Sequence, residues 1–359
     1  MIRKSDLSLR IGTTMLVLFA ALALTVLPAA ANYTGDHNLT EKYSKGTVTG
    51  GMDYTIGNST YSPKLWSYNT TGPTNDSYFV GLTPDFSGAI SPTTSKARLY
   101  VYFTYSFNNT SEPGYDIGVE PNMTVTFNNY VLNTTKPADN YTDWKDESNK
   151  GNNISTYNFP SGVYAYDVTD YVNASDIGKT YVVNVTNSKP YNGDDSTTGN
   201  DSESFNVQAV GLLTLYNDSG NNNVYDYWVD EGCDLTYLKC TLNPLAWQDN
   251  RMPTDTKCWT KFSNVDTSGV SSATLITTAP SAGTPYNTLF LNNGTFDTGV
   301  WDGSPAYVDF SYNTTTIDPM SLVPGENSIT FMNGLDNNTP LHDTQMQAAN
   351  AFLLLNKTA

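Results

Sequence analysis

The sequence runs through the same succession of strand-like blocks twice. Ala97-Arg98-Leu99-Tyr100-Val101 is matched by Ala273-Thr274-Leu275-Ile276-Thr277, and Thr124-Val125-Thr126-Phe127-Asn128-Asn129 by Thr288-Leu289-Phe290-Leu291-Asn292-Asn293. Asp167-Val168-Thr169 leads to Gly178-Lys179-Thr180-Tyr181-Val182-Val183 as Asp309-Phe310-Ser311 leads to Gly325-Glu326-Asn327-Ser328-Ile329-Thr330. The segment from Gln208 to Asn217 aligns without gaps with that from Gln347 to Asn356. The separation shrinks from 176 to 139 residues along the chain, so the second half has shorter loops in the same order. Two copies of one pattern call for two similar folding units, each long enough for its own core.

The blocks are strands. Leu99 to Tyr105 alternates with period two, and turn clusters such as Asn128-Asn129, Asn192-Gly193-Asp194, Ser219-Gly220-Asn221 and Asn292-Asn293-Gly294 separate the runs. Strands are expected near 47–56, 78–82, 97–107, 123–132, 163–168, 180–186 and 204–216 in the first half. In the second half they are expected near 225–229, 273–278, 287–296, 306–313, 327–332 and 347–356. Residues 345–355 read by propensity as a short amphipathic helix, but their counterpart at 208–217 carries Gly211 and Thr214 and ends in a turn, so both are assigned as strands. The expected architecture is all-β, two tandem jelly-roll-like β-sandwich domains. The boundaries are an N-terminal segment 32–46, a first sandwich 47–220, and a second sandwich 221–359 with a cysteine-containing junction at about 230–260.

Composition narrows function. Charged residues are 15% and the net charge is −17, so the clustered Lys and Arg of a nucleic-acid surface are missing. Aromatic residues at 13% argue against disorder. Arg3, Lys4 and Arg10 precede an apolar run from Met15 to Leu27 that closes at Pro28-Ala29-Ala30-Ala31, the layout of a secretory signal peptide over residues 1–31. That run is shorter than the ~20 residues of a membrane span, so the mature chain is expected outside the cell with no transmembrane anchor. Asn-x-Ser/Thr sequons support that address; the candidates are Asn58, Asn75, Asn122, Asn140, Asn184, Asn217, Asn313 and Asn356.

Groups for chemistry are few. The two histidines, His37 and His342, suggest neither a His-rich metal site nor a Ser-His-Asp triad, and no nucleophile or phosphate-loop motif is present. Asp230 and Glu231 are adjacent, and on a strand they would face opposite ways, so they cannot flank one glycosidic bond. Oxygen donors concentrate at 192–203 and 226–234, which admits calcium, but neither has the twelve-residue loop spacing. Solvated acidic turns are the expected reading, and no cofactor is assigned. Cys233, Cys240 and Cys258 are disulfide or cross-link candidates, an odd number in an exported chain. Leu99–Phe107 and Tyr181–Thr186 combine strong β propensity with little charge, so they could template strand addition if exposed on an edge, although ordinary central strands are the expected reading.

Tyr166-Asp167-Val168-Thr169, followed by Gly178 and Tyr181 to Val185, resembles the edge of galactose-binding-type jelly rolls. Together with Tyr166 to Val172, Val210 to Tyr216 and Trp228-Val229-Asp230-Glu231-Gly232, the chain resembles a family of secreted methanogen cell-surface proteins known as a domain of unknown function. It is similar to subunits of the sheaths around filamentous methanogens. The resemblance implies a structural protein of the archaeal cell envelope, a sheath or surface layer, and carries no catalytic residues. The expected partner is therefore the chain itself, as a homopolymer built through strand edges, with other envelope proteins or glycans beside it and no nucleic acid. The alternative is a secreted carbohydrate-binding or adhesion module.

Overall fold

The computed structural model describes residues 34–66, 76–108, 117–144, 159–190, 203–238, 253–282, 286–301, 310–335 and 344–357. Its strands begin with β1 (Thr40–Val48), β2 (Gly51–Thr55), β3 (Ser77–Leu82), β4 (Pro92–Asn108) and β5 (Ile117–Gly118). There follow β6 (Met123–Phe127), β7 (Tyr130–Asn133), β8 (Asp139–Asp143), β9 (Ser161–Asp167), β10 (Tyr181–Asn187) and β11 (Glu203–Asp218). The remainder are β12 (Val224–Leu238), β13 (Lys257–Val265), β14 (Val270–Pro280), β15 (Asn287–Leu291), β16 (Gly294–Thr298), β17 (Phe310–Ile317), β18 (Gly325–Asn333) and β19 (Thr344–Lys357). Among the described residues the only helical elements are short 3-10 turns, and no helix is long and apolar enough to cross a membrane.

The strands form four antiparallel sheets. An outer sheet β3-β10-β6-β7 faces an inner sheet β2-β11-β4-β9-β8, and a second inner sheet β1-β12-β19-β14-β17 faces an outer sheet β13-β18-β15-β16. The two inner sheets face each other. Each gap is filled by its own core. Leu99, Val101 and Phe103 of β4 meet Val125, Phe127, Val183 and Val185 in the first sandwich. Leu275, Leu353 and Leu355 meet Phe262, Ile329 and Phe331 in the second. Between the inner sheets lie Tyr100, Tyr102, Leu213 and Leu215 against Val229, Ile276, Ala349 and Phe352. Strand β4 therefore buries both faces, and every residue from Ala97 to Thr104 is buried. That two-sided burial is why its sequence is a continuous apolar run rather than a strict alternation.

The duplication is visible in the sheet orders: β2-β11-β4-β9 corresponds to β12-β19-β14-β17, and β3-β10-β6-β7 to β13-β18-β15-β16. It extends to single hydrogen bonds. Asn128 and Asn129 both have positive φ in the β6–β7 hairpin, as do Asn292 and Asn293 between β15 and β16, the conformation of a two-residue type I′ turn. Asn128 N donates to Val182 O and its Oδ1 accepts from Val182 N, both at 2.8 Å. Asn292 N donates to Ser328 O at 2.9 Å and its Oδ1 accepts from Ser328 N at 3.0 Å. The structural register thus pairs Val182 with Ser328, one residue away from the sequence alignment. The 3-10 turn after β9, Thr169–Tyr171, likewise matches Pro319–Ser321 rather than a turn beside Asp309.

One strand expectation is corrected and one alternative is decided. The strand expected near 47–56 is two strands in different sheets: β2 lies beside β11 in the first half, while β1 pairs with β12 of the second. Leu99–Phe107 and Tyr181–Thr186 are the ordinary central strands expected of them rather than edge templates: β4 lies between β11 and β9, and β10 between β3 and β6. Their backbone groups are already paired on both sides.

The paired Asn turns make a symmetric prediction. Asn128→Ala loses one side-chain hydrogen bond and Asn292→Ala three, and both leave alanine, which lacks asparagine's local hydrogen bonding, in the left-handed region, costing about 1–2 kcal/mol or more apiece. Urea denaturation of the two variants tests this, and a loss at only one site would show that the turns are not equivalent.

Candidate functional site

The densest polar chemistry lies between the inner sheets. Glu231 on β12 and Arg98 on β4 are 0% and 3% exposed. Glu231 Oε1 accepts from Arg98 Nε at 2.9 Å and from the Tyr100 hydroxyl at 2.8 Å. Its Oε2 accepts from Arg98 Nη2 at 2.9 Å and from the Tyr141 hydroxyl at 2.7 Å. A carboxylate has about four acceptor positions, and all are taken. Arg98 Nη2 also reaches Asp139 Oδ2 at 2.8 Å, and the guanidinium lies 4.2 Å over the Tyr43 ring. Burial alone would lower the Arg98 pKa, but the bonds and charge of Glu231 outweigh it and hold the guanidinium protonated. Burial, followed by the Glu231 charge, pushes the Tyr100 and Tyr141 hydroxyls up, so they remain donors. The arrangement is a closed bidentate clamp between sheets, with no lone pair left over for a substrate proton.

A second polar knot lies farther along the same gap. The Tyr102 hydroxyl donates to Asn350 Oδ1 at 2.6 Å and shares a 2.8 Å bond with Tyr54. Thr278 donates to the same Asn350 oxygen at 3.1 Å. Gln208 Nε2 donates to Ser281 Oγ at 2.6 Å. The Tyr102–Asn350 and Gln208–Ser281 bonds join one half of the chain to the other.

The acidic run 226–234 is divided by strand alternation. Asp226 pairs with Lys357 at 2.8 Å, Asp230 turns to Thr260 of the outer sheet, and Glu231 turns to Arg98. Asp230 and Glu231 thus face opposite ways, and the run does not converge on one ion. Of loop 192–203 only Glu203 is described; it accepts from Asn122 N at 2.8 Å and Asn122 Nδ2 at 2.7 Å, and pairs with Lys189 at 3.1 Å.

Cys233 and Cys258 are free, buried thiols rather than a disulfide. Cys233 packs in the core between the inner sheets and Cys258 in the second sandwich, so β12 separates them. Their sulfurs lie against different carbonyls, Ser161 O at 3.6 Å and His37 O at 3.4 Å. Burial, with nearby carboxylates, raises both thiols, which keeps them unreactive. Cys240, Asn75 and His342 lie outside the described residues. Of the remaining sequons, the amide nitrogens of Asn122 and Asn140 are engaged, the latter with Pro137 O at 2.8 Å. Asn313 donates to Val300 O at 3.4 Å. The side-chain oxygens of Asn58 and Asn217 accept from Gly81 N and Thr49 N. Asn184 lies on β10 opposite Phe79, and Asn356 at the end of β19.

The sequence reading passed over Arg98, Tyr100, Tyr141 and Asn350. Their one advance signal is an arginine embedded in the apolar run from Ala97 to Phe103.

The family described as "Protein of unknown function (DUF3344)" matches residues 32–356, and the chain belongs to it. No curated protein matches the chain. Among solved structures it is similar to PNGase F, a glycosylasparaginase from Flavobacterium meningosepticum, at 13% identity and a TM-score of 0.24, covering 88% of this chain and 97% of that one. The ANXUR2 extracellular domain from Arabidopsis thaliana matches at 10% identity and a TM-score of 0.23, over 90% and 96% of the two chains. A β-porphyranase from Bacteroides plebeius matches at 8% identity and a TM-score of 0.22, over 80% of this chain and 36% of that one. At those scores the likenesses carry no argument about what this chain does.

Two predictions come from the junction. Glu231→Ala leaves Arg98 charged in a dry interface and costs about 3–5 kcal/mol, whereas Arg98→Met with Glu231→Leu costs far less. A double-mutant cycle by urea denaturation checks it; equal losses in the single and double variants would contradict the clamp. Asp230, held chiefly by burial and next to Thr260, Glu41, Glu231 and Lys45, has its pKa raised to about 7. Below about pH 4 both states bind its proton. Between there and 7 only the folded state does, so its contribution to stability falls as pH rises. Asp230→Asn flattens that slope, as denaturation across pH 4–8 would show.

Proposed function

We propose that this DUF3344 protein is a non-catalytic structural subunit of an archaeal cell envelope, exported by its 1–31 leader and assembled with further copies into a sheath or surface layer. One observation carries the reading. The free face of the outer sheet β3-β10-β6-β7 presents Phe79 at 64% exposure, Val131 at 57% and Val182 at 49%, and Tyr130, at 59%, stands at the β7 edge beside Phe127. Three of those side chains sit on β3 and β7, the two edge strands of that sheet. An edge strand with unpaired backbone groups and apolar side chains is a template for another chain. The assembly surface of this proposal is therefore β3 and β7, in place of the interior strands β4 and β10. The closed clamp between the inner sheets supports it as well, because a load-bearing subunit needs its two halves locked together.

A second reading, a carbohydrate-binding or adhesion module, rests on Tyr130 and Tyr171. Their ring centroids are 4.9 Å apart and both rings are exposed, a geometry on which a sugar face can stack.

Electron microscopy and light scattering of the purified protein separate the two. Ordered assemblies are expected from the wild type, and loss of assembly without loss of fold from Phe79→Lys with Val131→Lys. A wild-type protein that stays monodisperse would sink the structural reading, and glycan-array binding lost in Tyr130→Ala would establish the second.

A further inference from the structure

Away from the clamp, carboxylates from three remote parts of the chain converge beside His37. Asp36, His37 and Asp143 place their donor atoms within 4.8 Å of one another. His37 Nδ1 is 3.6 Å from Asp143 Oδ1, with the imidazole 40% exposed and Asp143 1%. Asp143 closes β8, and its carboxylate is held by backbone: Oδ1 accepts from Trp144 N and Oδ2 from Leu235 N, both at 2.6 Å. That second bond brings it next to Asp234 of β12.

Asp234 is the feature that asks for a ligand. It is 0% exposed, and neither carboxylate oxygen has a hydrogen-bond partner. The Cys258 thiol and the His37 backbone lie near it without forming a bond of good geometry, and the charges of Asp143 and Asp36 act directly on it. Buried carboxylates are normally paired, hydrogen-bonded or bound to metal. This one lies within electrostatic reach of two more carboxylates instead.

The N-terminal segment is fixed where the cluster needs it. Gly35 N donates to Asp255 O at 2.8 Å, and a β-carbon at Gly35 would come within 2.0 Å of Lys257 O. Leu39 N donates to Trp259 O at 3.1 Å. The segment thus lies against β13 with Asp36 and His37 turned over the buried pair. Ligands at about 2.0–2.2 Å from a small divalent ion are roughly 3.4–4.3 Å apart, so the Asp36, His37 and Asp143 donors, within 4.8 Å of one another, close onto an ion by side-chain rotation, with Asp234 beneath them as the further ligand.

We infer that Asp36, His37, Asp143 and Asp234 form a binding site for a divalent transition-metal ion, one that fastens the N-terminal segment and the two inner sheets together. The imidazole selects the class, because calcium takes oxygen donors whereas nitrogen with carboxylates suits zinc and its neighbours. Asp36 and His37 form the exposed mouth, and Asp143 and Asp234 the buried floor.

The probe is Zn2+ added to the purified, tag-free protein, with bound metal measured after dialysis and affinity by calorimetry. One equivalent is expected. His37→Ala and Asp234→Asn should each weaken binding by about tenfold or more, with unchanged far-UV circular dichroism. Asp36→Asn keeps a fold-safe third test, because that side chain is exposed. His342→Ala serves as the control and should leave binding unchanged. Co2+ substitution should give a tetrahedral visible spectrum that the His37→Ala variant loses. No bound zinc, equal binding in all three ligand variants, or tighter binding of Ca2+ than of Zn2+ would each overturn the assignment.

Discussion

The bidentate pair between Arg98 and Glu231 is the contact on which the rest of the architecture depends. It crosses from one inner sheet to the other in a gap that is otherwise aromatic and aliphatic, and Tyr100 and Tyr141 complete its hydrogen bonding. Separating the sheets would expose a large apolar surface and break that pair; sliding them would leave a desolvated guanidinium facing carbon. The second cost is the more selective, since apolar surfaces accept many alignments and a buried ion pair accepts few. The two sandwiches thus behave as one four-layered body, although each has its own core.

The duplicated halves have diverged where they meet. Tyr100 and Tyr102 of β4 correspond to Ile276 and Thr278 of β14, and all four look into the same gap. The bulky hydroxylated pair comes from one half, and the smaller pair from the other. Two identical copies would have set tyrosine against tyrosine across the pseudo-symmetric contact. Here Tyr102 and Thr278 instead reach the same Asn350 oxygen, so the asymmetry of side-chain size becomes a shared acceptor. The outer hairpins, which face no partner half, kept their paired asparagine turns.

Much of this was legible in residue order, and the exceptions have physical causes. Period-two runs and Asn-rich turns located most strands, and the duplication assigned 347–356 as strand β19 against its helical propensity. Strand β13 was missed because Lys257-Cys258-Trp259-Thr260-Lys261-Phe262 buries Cys258, Thr260 and Phe262 and exposes the residues between. Its large tryptophan faces out and its small threonine faces in, which inverts the usual cue. The sorting of β1 and β2 into different sheets was hidden because 47–56 reads as one strand running through Gly50-Gly51. Partners as remote as Arg98 and Glu231, or Asp143 and Asp234, have no local pattern to betray them. Even so, Arg98 and Arg251 are the only arginines after residue 31, and one of them sits inside an apolar strand.

The buried polar groups also answer a problem that apolar patterning leaves open. A half-buried strand fixes its own facing, because a slip of one residue would turn its polar side inward. Strands β4 and β11 are buried on both sides, so alternation alone gives no preference for which face meets which sheet. Shifting β4 by one residue would direct Arg98 into the core lined by Val183 and Val185 and leave Glu231 facing Leu99. Neither charge would find a partner there. Gly162 adds a steric version of the same constraint, since a β-carbon on it would lie 2.5 Å from Tyr141 O and 2.6 Å from the Phe103 ring. Register in the centre of this molecule is therefore set by a few charges, hydroxyls and one missing side chain. The abundant aliphatic residues supply the driving force but not the choice.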